Sequence, residues 1–399
     1  MVKKIKALLK LVIAWLVLNL FRRDLYKKEI WLIREKGTEA RDNGYHFFKY
    51  MRTEHPECNV YYAITHDAPD LRKIKRYGNI IELNSFNHYL YYLAAKYSIN
   101  SQARGAIPYP DVFLFRFRKL ARKGQKTVFL QHGVIKDDLS DMLDYERAPC
   151  DLFCCSAQKE RDYVQVSCHY PEKKVQLLGL CRFDELSKNK TVAQKKILVM
   201  PTYRGWLKSA NAFVEASKAE KTKFEQSEYF QQYSSLLSNE RLVSILKKYG
   251  YSMVFYPHYG MQPFVHCFDR FATEVVTIAD RLHFDVQQLM IESAIMVTDY
   301  SSVFFDFAYM EKPEVFFQFD EEQYRAEHYK TGYFDYRRDG FGPVFTDVED
   351  VTEYIAKTLE NNCQLEPKYL ERIRDFFDLR DDKNCERTYQ AIISLDGVH

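Results

Sequence analysis

Several signatures of nucleotide and hydrolase chemistry are missing from this chain. It has no Walker A motif, no Gly-x-Gly-x-x-Gly and no Gly-x-Ser-x-Gly elbow, so nothing supports ATP, dinucleotide or serine-hydrolase chemistry. None of its nine cysteines forms a Cys-x-x-Cys pair. Adjacent Cys154 and Cys155 read as small buried hydrophobes, which leaves no disulfide framework and no structural zinc and points to a reduced, cytoplasmic setting. His266 and His283 lack the spacing of a helix-borne metal pair. A formal charge of +3 is too small to imply nucleic acid, and the aromatics are not interleaved with one basic stripe.

A run of about 20 apolar residues, as a membrane span requires, is also absent. The nearest approach, Leu11 to Leu18, is bounded by Lys10 and Asn19, with Lys3, Lys4, Lys6 and Lys10 before it and Arg22, Arg23, Lys27 and Lys28 after it. It lacks a signal-peptide cleavage site. Residues 1–28 therefore read as an amphipathic helix lying in an anionic membrane interface; the alternative is a helix packed on the protein's own surface.

What the chain does have is 399 residues, 46% of them apolar, enough for two cores. From Glu29 onward, β-like runs alternate with helix-like runs, the pattern of parallel sheets covered on both faces. Strands are expected at Glu29 to Arg34, Val60 to Thr65, Asn79 to Leu83, Tyr97 to Asn100, Lys126 to Gln131, Asp151 to Cys155 and Val175 to Leu178. After a polar linker these continue at Lys196 to Met200, Ser252 to Tyr256, Val275 to Ile278, Ile295 to Thr298 and Glu314 to Gln318. The fold expected is α/β, with two Rossmann-like doubly wound domains: 29–186, a linker 187–195, then 196–346, followed by C-terminal helices at 347–399. Gly205 to Ser238 is polar and reads as an insertion over the cleft.

Doubly wound sheets bind ligands beyond the carboxyl ends of their strands. Five expected strand ends carry reactive or phosphate-binding types: His132, Ser156, Arg204, His258 and Asp299. In Gln131-His132-Gly133 an imidazole stands beside a glycine that permits a sharp turn, with Lys136 adding a cation; histidine can take a proton from a hydroxyl near neutral pH. His258 suits hydrogen bonding to a phosphate. Ser301 and Ser302 open a helix, where hydroxyls serve either as caps or as phosphate ligands. Arg337 and Arg338 offer bidentate grips for phosphate oxygens, or form a solvated turn.

Together these segments resemble the CDP-glycerol glycerophosphotransferase family, the teichoic acid primases and polymerases. The matching pieces are Asp42-Asn43-Gly44-Tyr45-His46-Phe47-Phe48-Lys49-Tyr50, Gln131-His132-Gly133, Met200-Pro201-Thr202-Tyr203-Arg204, Thr298-Asp299-Tyr300-Ser301-Ser302 and Lys312 to Pro343. The resemblance implies a GT-B arrangement with the two domains facing across a cleft, and peripheral attachment to the cytoplasmic face of the membrane. It also implies transfer of a polyol phosphate from a CDP-alditol to a lipid-linked saccharide or growing polymer, releasing CMP. By the same analogy His132 is the base, His258 contacts the donor pyrophosphate, and Arg204, Asp299, Ser301, Ser302, Arg337 and Arg338 serve the donor phosphates. Gln131, Gly133, Lys136 and Arg182 line the cleft, and no cofactor or metal is obligatory. Two departures from the family pattern stand out: Cys181 precedes Arg182 where proline is expected, and the surroundings of His258 are looser than usual. A nucleotide-sugar glycosyltransferase on the same fold and a catalytically inactive scaffold are the competing readings.

Overall fold

The computed structural model describes residues 2–191, 193–207, 209 and 214–397. It divides into two compact units, residues 1–134, 139–185 and 381–399 in the first and 135–138 and 186–380 in the second.

The first unit holds seven parallel strands: β1 (Trp31–Arg34), β2 (Val60–Ile64), β3 (Ile80–Glu82), β4 (Tyr97–Asn100), β5 (Lys126–Phe129), β6 (Leu152–Cys155) and β7 (Val175–Leu177). Their spatial order is β3-β2-β1-β4-β5-β6-β7, so the winding direction reverses between β1 and β4, where a doubly wound sheet opens its binding crevice. β1, β4 and β6 are buried at every position, as expected for strands covered on both faces.

The second unit holds β8 (Lys196–Val199), β9 (Ser252–Phe255), β10 (Val276–Ile278), β11 (Ile295–Thr298), β12 (Glu314–Phe317) and β13 (Val344–Phe345). These are ordered β10-β9-β8-β11-β12-β13 and are likewise all parallel. The reversal here falls between β8 and β11. All twelve strands expected from the sequence are present with ends shifted by a residue or two; β13, only two residues long, carries no periodicity to read.

Three boundaries differ from expectation. Of Gly205 to Ser238, expected as an insertion over the cleft, 208 and 210–213 lie outside the described residues, and helices Lys218–Glu225 and Glu228–Ser238 bury Phe224, Tyr229, Phe230, Tyr233, Leu236 and Leu237 in the second core. Their polar residues, which suggested an insertion, lie on the other face of these helices. The tail 347–399 is not one block, because Val348–Glu360 and Pro367–Phe376 belong to the second unit whereas Asn384–Ser394 returns to the first. Asp184 fixes that return by accepting the backbone N–H groups of Asn384 and Cys385 at 2.7 and 2.9 Å. Helix Phe183–Lys188 also runs into the expected linker.

The N-terminal helix α1 (Val2–Phe21) carries two apolar stripes. Ala7, Leu11, Ala14 and Leu18 are buried in one core cluster with Tyr89, Leu90 and Leu93 of helix Phe86–Ala94. Ile5, Leu9, Ile13, Leu16 and Leu20 remain exposed. Among the described residues no helix is long and apolar enough to cross a membrane.

A buried histidine in the first unit sets an acid limit on stability. His88 is fully buried, its Nε2 bonded to Ala106 O at 3.0 Å while its Nδ1 accepts the Asn84 N–H at 3.1 Å. Only a neutral ring protonated on Nε2 satisfies both, and burial pushes its pKa down to about 3. The unfolded chain takes up that proton near the ordinary histidine value of about 6.5, whereas the folded chain refuses it until pH falls to about 3. Stability present above pH 6.5 is therefore lost across this window as pH falls. Urea unfolding at stepped pH should show the decline, and His88→Gln should flatten it; an unchanged slope in the variant contradicts this account.

Candidate functional site

The two sheets bring different parts of the expected site together, each beyond the carboxyl ends of its own strands.

In the first unit the loop after β1 and the loop after β5 meet. Glu35 directly follows β1 and is 2% exposed. Its carboxylate accepts the backbone N–H groups of Arg41, Asp42 and Tyr45 at 3.1, 3.1 and 2.6 Å, so it stitches the loop to the start of α2 (Asn43–Glu54). Burial pushes Glu35 up to about 8, with the Asp42 charge adding to the effect. Asp42 is the N-cap of α2, accepting Asn43 N–H at 2.8 Å, and it does more than cap. Its other oxygen lies 2.5 Å from His132 Nδ1, and Arg182 Nη1 donates to Asp42 Oδ1 at 2.8 Å. Burial opposes the Asp42 charge, but the His132 and Arg182 partners prevail and hold the carboxyl below its usual range.

Gln131, not a glycine, makes the left-handed step that swings the β5 loop outward, with φ 70°. It is buried and pinned on both sides: its amide donates to Glu160 Oε1 at 2.9 Å and its carbonyl accepts Asn43 Nδ2 at 2.8 Å. Asn43 Oδ1 accepts the Arg182 N–H at 3.1 Å, and Arg182 Nη1 also donates to His132 O at 2.7 Å. The result is a half-exposed imidazole on a rigid base, its side chain 56% exposed. With Nδ1 turned to Asp42 and no other hydrogen bond to the ring among the described residues, Nε2 is the nitrogen left open. Gly133 follows within the same loop.

In the second unit Arg204 and Asp299 do not line a surface, contrary to the sequence reading. Arg204 is fully buried, ion-paired to Asp299 at 2.9 Å and gripping Asp320 through two bonds of 2.6 and 3.0 Å. The rings of Tyr300 and Tyr324 lie 5.1 and 5.3 Å from its guanidinium. Asp299 accepts Thr202 N–H at 2.8 Å and the Tyr233 hydroxyl at 3.1 Å. Strand-end position alone cannot separate an arginine that faces ligand from one that braces the reversal point. Asp320, some 116 residues from Arg204 in sequence, left no local signal.

Ser301 and Ser302 precede helix Val303–Tyr309, and neither hydroxyl caps it. His258 Nδ1 accepts the Gly260 N–H at 3.1 Å and the ring stacks on Tyr203 at 4.9 Å. Arg337 is exposed and has no ion pair among the described residues, whereas Arg338 is tied to Asp339 at 2.6 Å. Lys136, expected beside His132, belongs to the other unit. There it is 3% exposed, ion-paired to Asp137 and 5.4 Å from the Tyr336 ring centre. Asp137 in turn holds Arg325 at 2.6 Å, and the segment is clamped by Gly332, where a Cβ would fall 2.2 Å from Lys136 O.

Two doubly wound parallel sheets, one of them holding a histidine against a carboxylate beyond its strand ends, make this an α/β protein of two Rossmann-like units. The chain belongs to the CDP-Glycerol:Poly(glycerophosphate) glycerophosphotransferase family, whose model matches residues 16–394. It is 32% identical over 405 residues to the Minor teichoic acid biosynthesis protein GgaB of Bacillus subtilis, a match covering 99% of this chain and 43% of that protein. This chain thus spans less than half the length of that relative. A Teichoic acid glycerol-phosphate transferase of Staphylococcus aureus is 29% identical over 111 residues, covering 27% of this chain and 28% of that one. Among solved structures, a variant of the Wall Teichoic Acid Polymerase TagF superposes with a TM-score of 0.70 at 15% identity, covering 100% of this chain and 98% of that one. A UDP-N-acetylglucosamine 2-epimerase from Listeria monocytogenes reaches 0.57 at 12% identity, covering 93% and 98%.

Proposed function

We propose that this chain transfers a polyol phosphate, glycerol phosphate first among them, from a CDP-activated donor to a hydroxyl of a lipid-linked saccharide or growing teichoic acid polymer. The observation that carries the chemistry is the 2.5 Å contact between His132 and Asp42 on an otherwise open imidazole. His132 Nε2 takes the proton of the acceptor hydroxyl as its oxygen bonds to the β-phosphorus. The bond from that phosphorus to the bridging oxygen breaks, and CMP leaves with the electron pair. Asp42 keeps the ring in the productive tautomer and stabilises the imidazolium. His258, Ser301, Ser302 and Arg337 hold the donor phosphates, with Arg338 supporting from its Asp339 pair; this is the positioning and charge stabilisation on which phosphoryl transfer depends. Family membership supports the donor class.

Incubating the protein with an acceptor and CDP-glycerol, CDP-ribitol or UDP-sugars, then measuring nucleotide release, tests the reading. CMP should appear from a CDP-alditol only. UDP release without CMP release would establish a glycosyltransferase instead.

The exposed stripe of α1, flanked by Lys3, Lys4, Lys6 and Lys10, supports peripheral attachment to an anionic membrane on the cytoplasmic side, where a nucleotide-activated donor is made. Because the other stripe is packed into the first unit, deleting the helix would confound binding with folding. Ile13→Gln with Leu16→Gln touches only the exposed stripe, and it should abolish co-sedimentation with vesicles while leaving the melting temperature unchanged. Retained co-sedimentation contradicts the attachment.

A further inference from the structure

A second charged feature of the first unit lies at the opposite end of the strands from His132. Between Asp111 and Asp137 the chain contains no acidic residue, and Arg116, Arg118, Lys119, Arg122 and Lys123 are crowded into eight positions. The segment runs alongside α1. At one end Lys4 lies over the Phe113 ring at 5.7 Å, and at the other Arg122 Nη1 donates to Tyr26 O, just past the helix, at 2.9 Å. Phe113, Phe117 and Leu120 pack on the same cluster as the buried stripe of α1, so the register of the segment on the helix is fixed by apolar contacts.

Where the segment turns into β5 it borders an open pocket of about 410 Å³, lined by Arg118, Lys119, Arg122, Lys123 and, across it, Lys174. One carboxylate shares the lining, Asp151, which is engaged by Lys174 at 2.9 Å. Lys119 and Lys123 are exposed and have no ion pair among the described residues. Gln125, Asp151 and Lys174 directly precede or border the starts of β5, β6 and β7, so the pocket sits at the amino ends of the strands. It is remote in the fold from the loops that carry the proposed chemistry. With Lys174 paired to Asp151, four cations of the lining have no ion pair among the described residues, and an entering anion would relieve their mutual repulsion.

We propose that this pocket receives the phosphate headgroup of an anionic glycerophospholipid while the exposed stripe of α1 lies in the acyl boundary beside it. The proposal rests on the interfacial reading of α1. A headgroup is favoured over a soluble polyanion by continuity: the basic segment is packed along the helix whose outer face is apolar. Leu20 and Phe21 are exposed near the end where Arg122 meets Tyr26. A headgroup there would orient the first unit on the membrane with a charge-specific contact that an apolar helix alone does not supply.

The test uses the full chain with vesicles of phosphatidylcholine, with and without phosphatidylglycerol. Lys119→Ala with Lys123→Ala removes two exposed, unpaired cations and should not affect folding. At about 1 kcal/mol per basic residue near an anionic surface, it should weaken binding to the phosphatidylglycerol vesicles roughly 30-fold. Binding to pure phosphatidylcholine should not change. Lys218→Ala with Lys223→Ala, the same charge change on the second unit, should bind as wild type. Wild-type binding by the pocket variant overturns the proposal, and so does an equal loss in the control, which would show net charge alone at work. If vesicle binding is intact but retention on soluble poly(glycerol phosphate) is lost, the occupant is the polymer and the lipid proposal fails. Ile13→Gln with Leu16→Gln reports on α1 separately: its failure to weaken binding to either vesicle refutes the interfacial helix, whatever the pocket variant does.

Discussion

Replacing His132 with alanine should lower kcat for CMP release by roughly 10²- to 10⁴-fold, the range a lost general base accounts for. The loss should fall on the chemical step, because the imidazole is half-exposed and its one side-chain partner among the described residues is Asp42. The KM for the CDP-alditol should be little changed, the donor ligands being assigned to the other unit. Asp42→Asn sharpens the expectation. An asparagine there can still bond to the ring, but it removes the charge that His132 and Arg182 maintain and can offer an N–H to Nδ1, favouring the wrong tautomer. It should therefore lower kcat toward the His132→Ala level. Asparagine caps a helix about as well as aspartate, but Asp42 also pairs with the largely buried Arg182, so Asp42→Asn is expected to lower stability as well by leaving that cation without its counter-charge. A His132→Ala protein that retains more than a tenth of wild-type turnover would remove this histidine from the mechanism.

Arg204→Met is expected to have the largest effect on stability. The guanidinium is wholly enclosed and compensates two carboxylates, Asp299 and Asp320, that are themselves buried. Burial already raises Asp299 above the ordinary carboxylate value despite Arg204. Removing the cation leaves two uncompensated acids in an apolar, aromatic shell, and breaking a buried pair in this way costs about 3–5 kcal/mol. For a domain whose whole stability is about 5–15 kcal/mol, that is enough to unfold a large fraction of the second unit at moderate urea. Urea unfolding followed by tyrosine fluorescence reads the effect. The measurement also separates two roles: a residue that binds donor phosphate would raise KM and leave the unfolding midpoint in place, whereas a brace shifts the midpoint. An unshifted midpoint with a raised KM would restore the ligand role expected from the sequence.

The histidine site was the more legible of the two because its parts are local. Gln131-His132 stands at the end of a β-run, and Asp42 stands where a helix begins, each marked by a pattern within a few residues. What the pattern missed was that the cap of α2 also holds the histidine 90 positions away, a contact that reaches across the end of β4, which lies between β1 and β5 in the sheet. Arg204, Asp299 and Lys136 were legible as functional types but not as buried ones. Burial depends on which aromatic side chains close over them: Tyr229, Tyr300, Tyr324 and Tyr336 come from segments far apart in the chain. The helices within 218–238 were read as part of an insertion for a related reason, since their apolar residues form a stripe only once the second core is present to receive it.

The alternation of apolar runs with helical periods determined, without any coordinates, that this protein is built of two parallel α/β sheets, because strand and helix periods are set by local backbone geometry. The placement of His132, His258 and Ser301 beyond strand ends was likewise local information. Tertiary structure alone decided which of the polar residues at those ends face solvent and which brace the core. It also decided that the last helix returns to the first unit and that α1 presents one apolar stripe inward and one outward. Those outcomes depend on pairings between distant segments, where the desolvation of a charge or a stripe is settled by what packs against it.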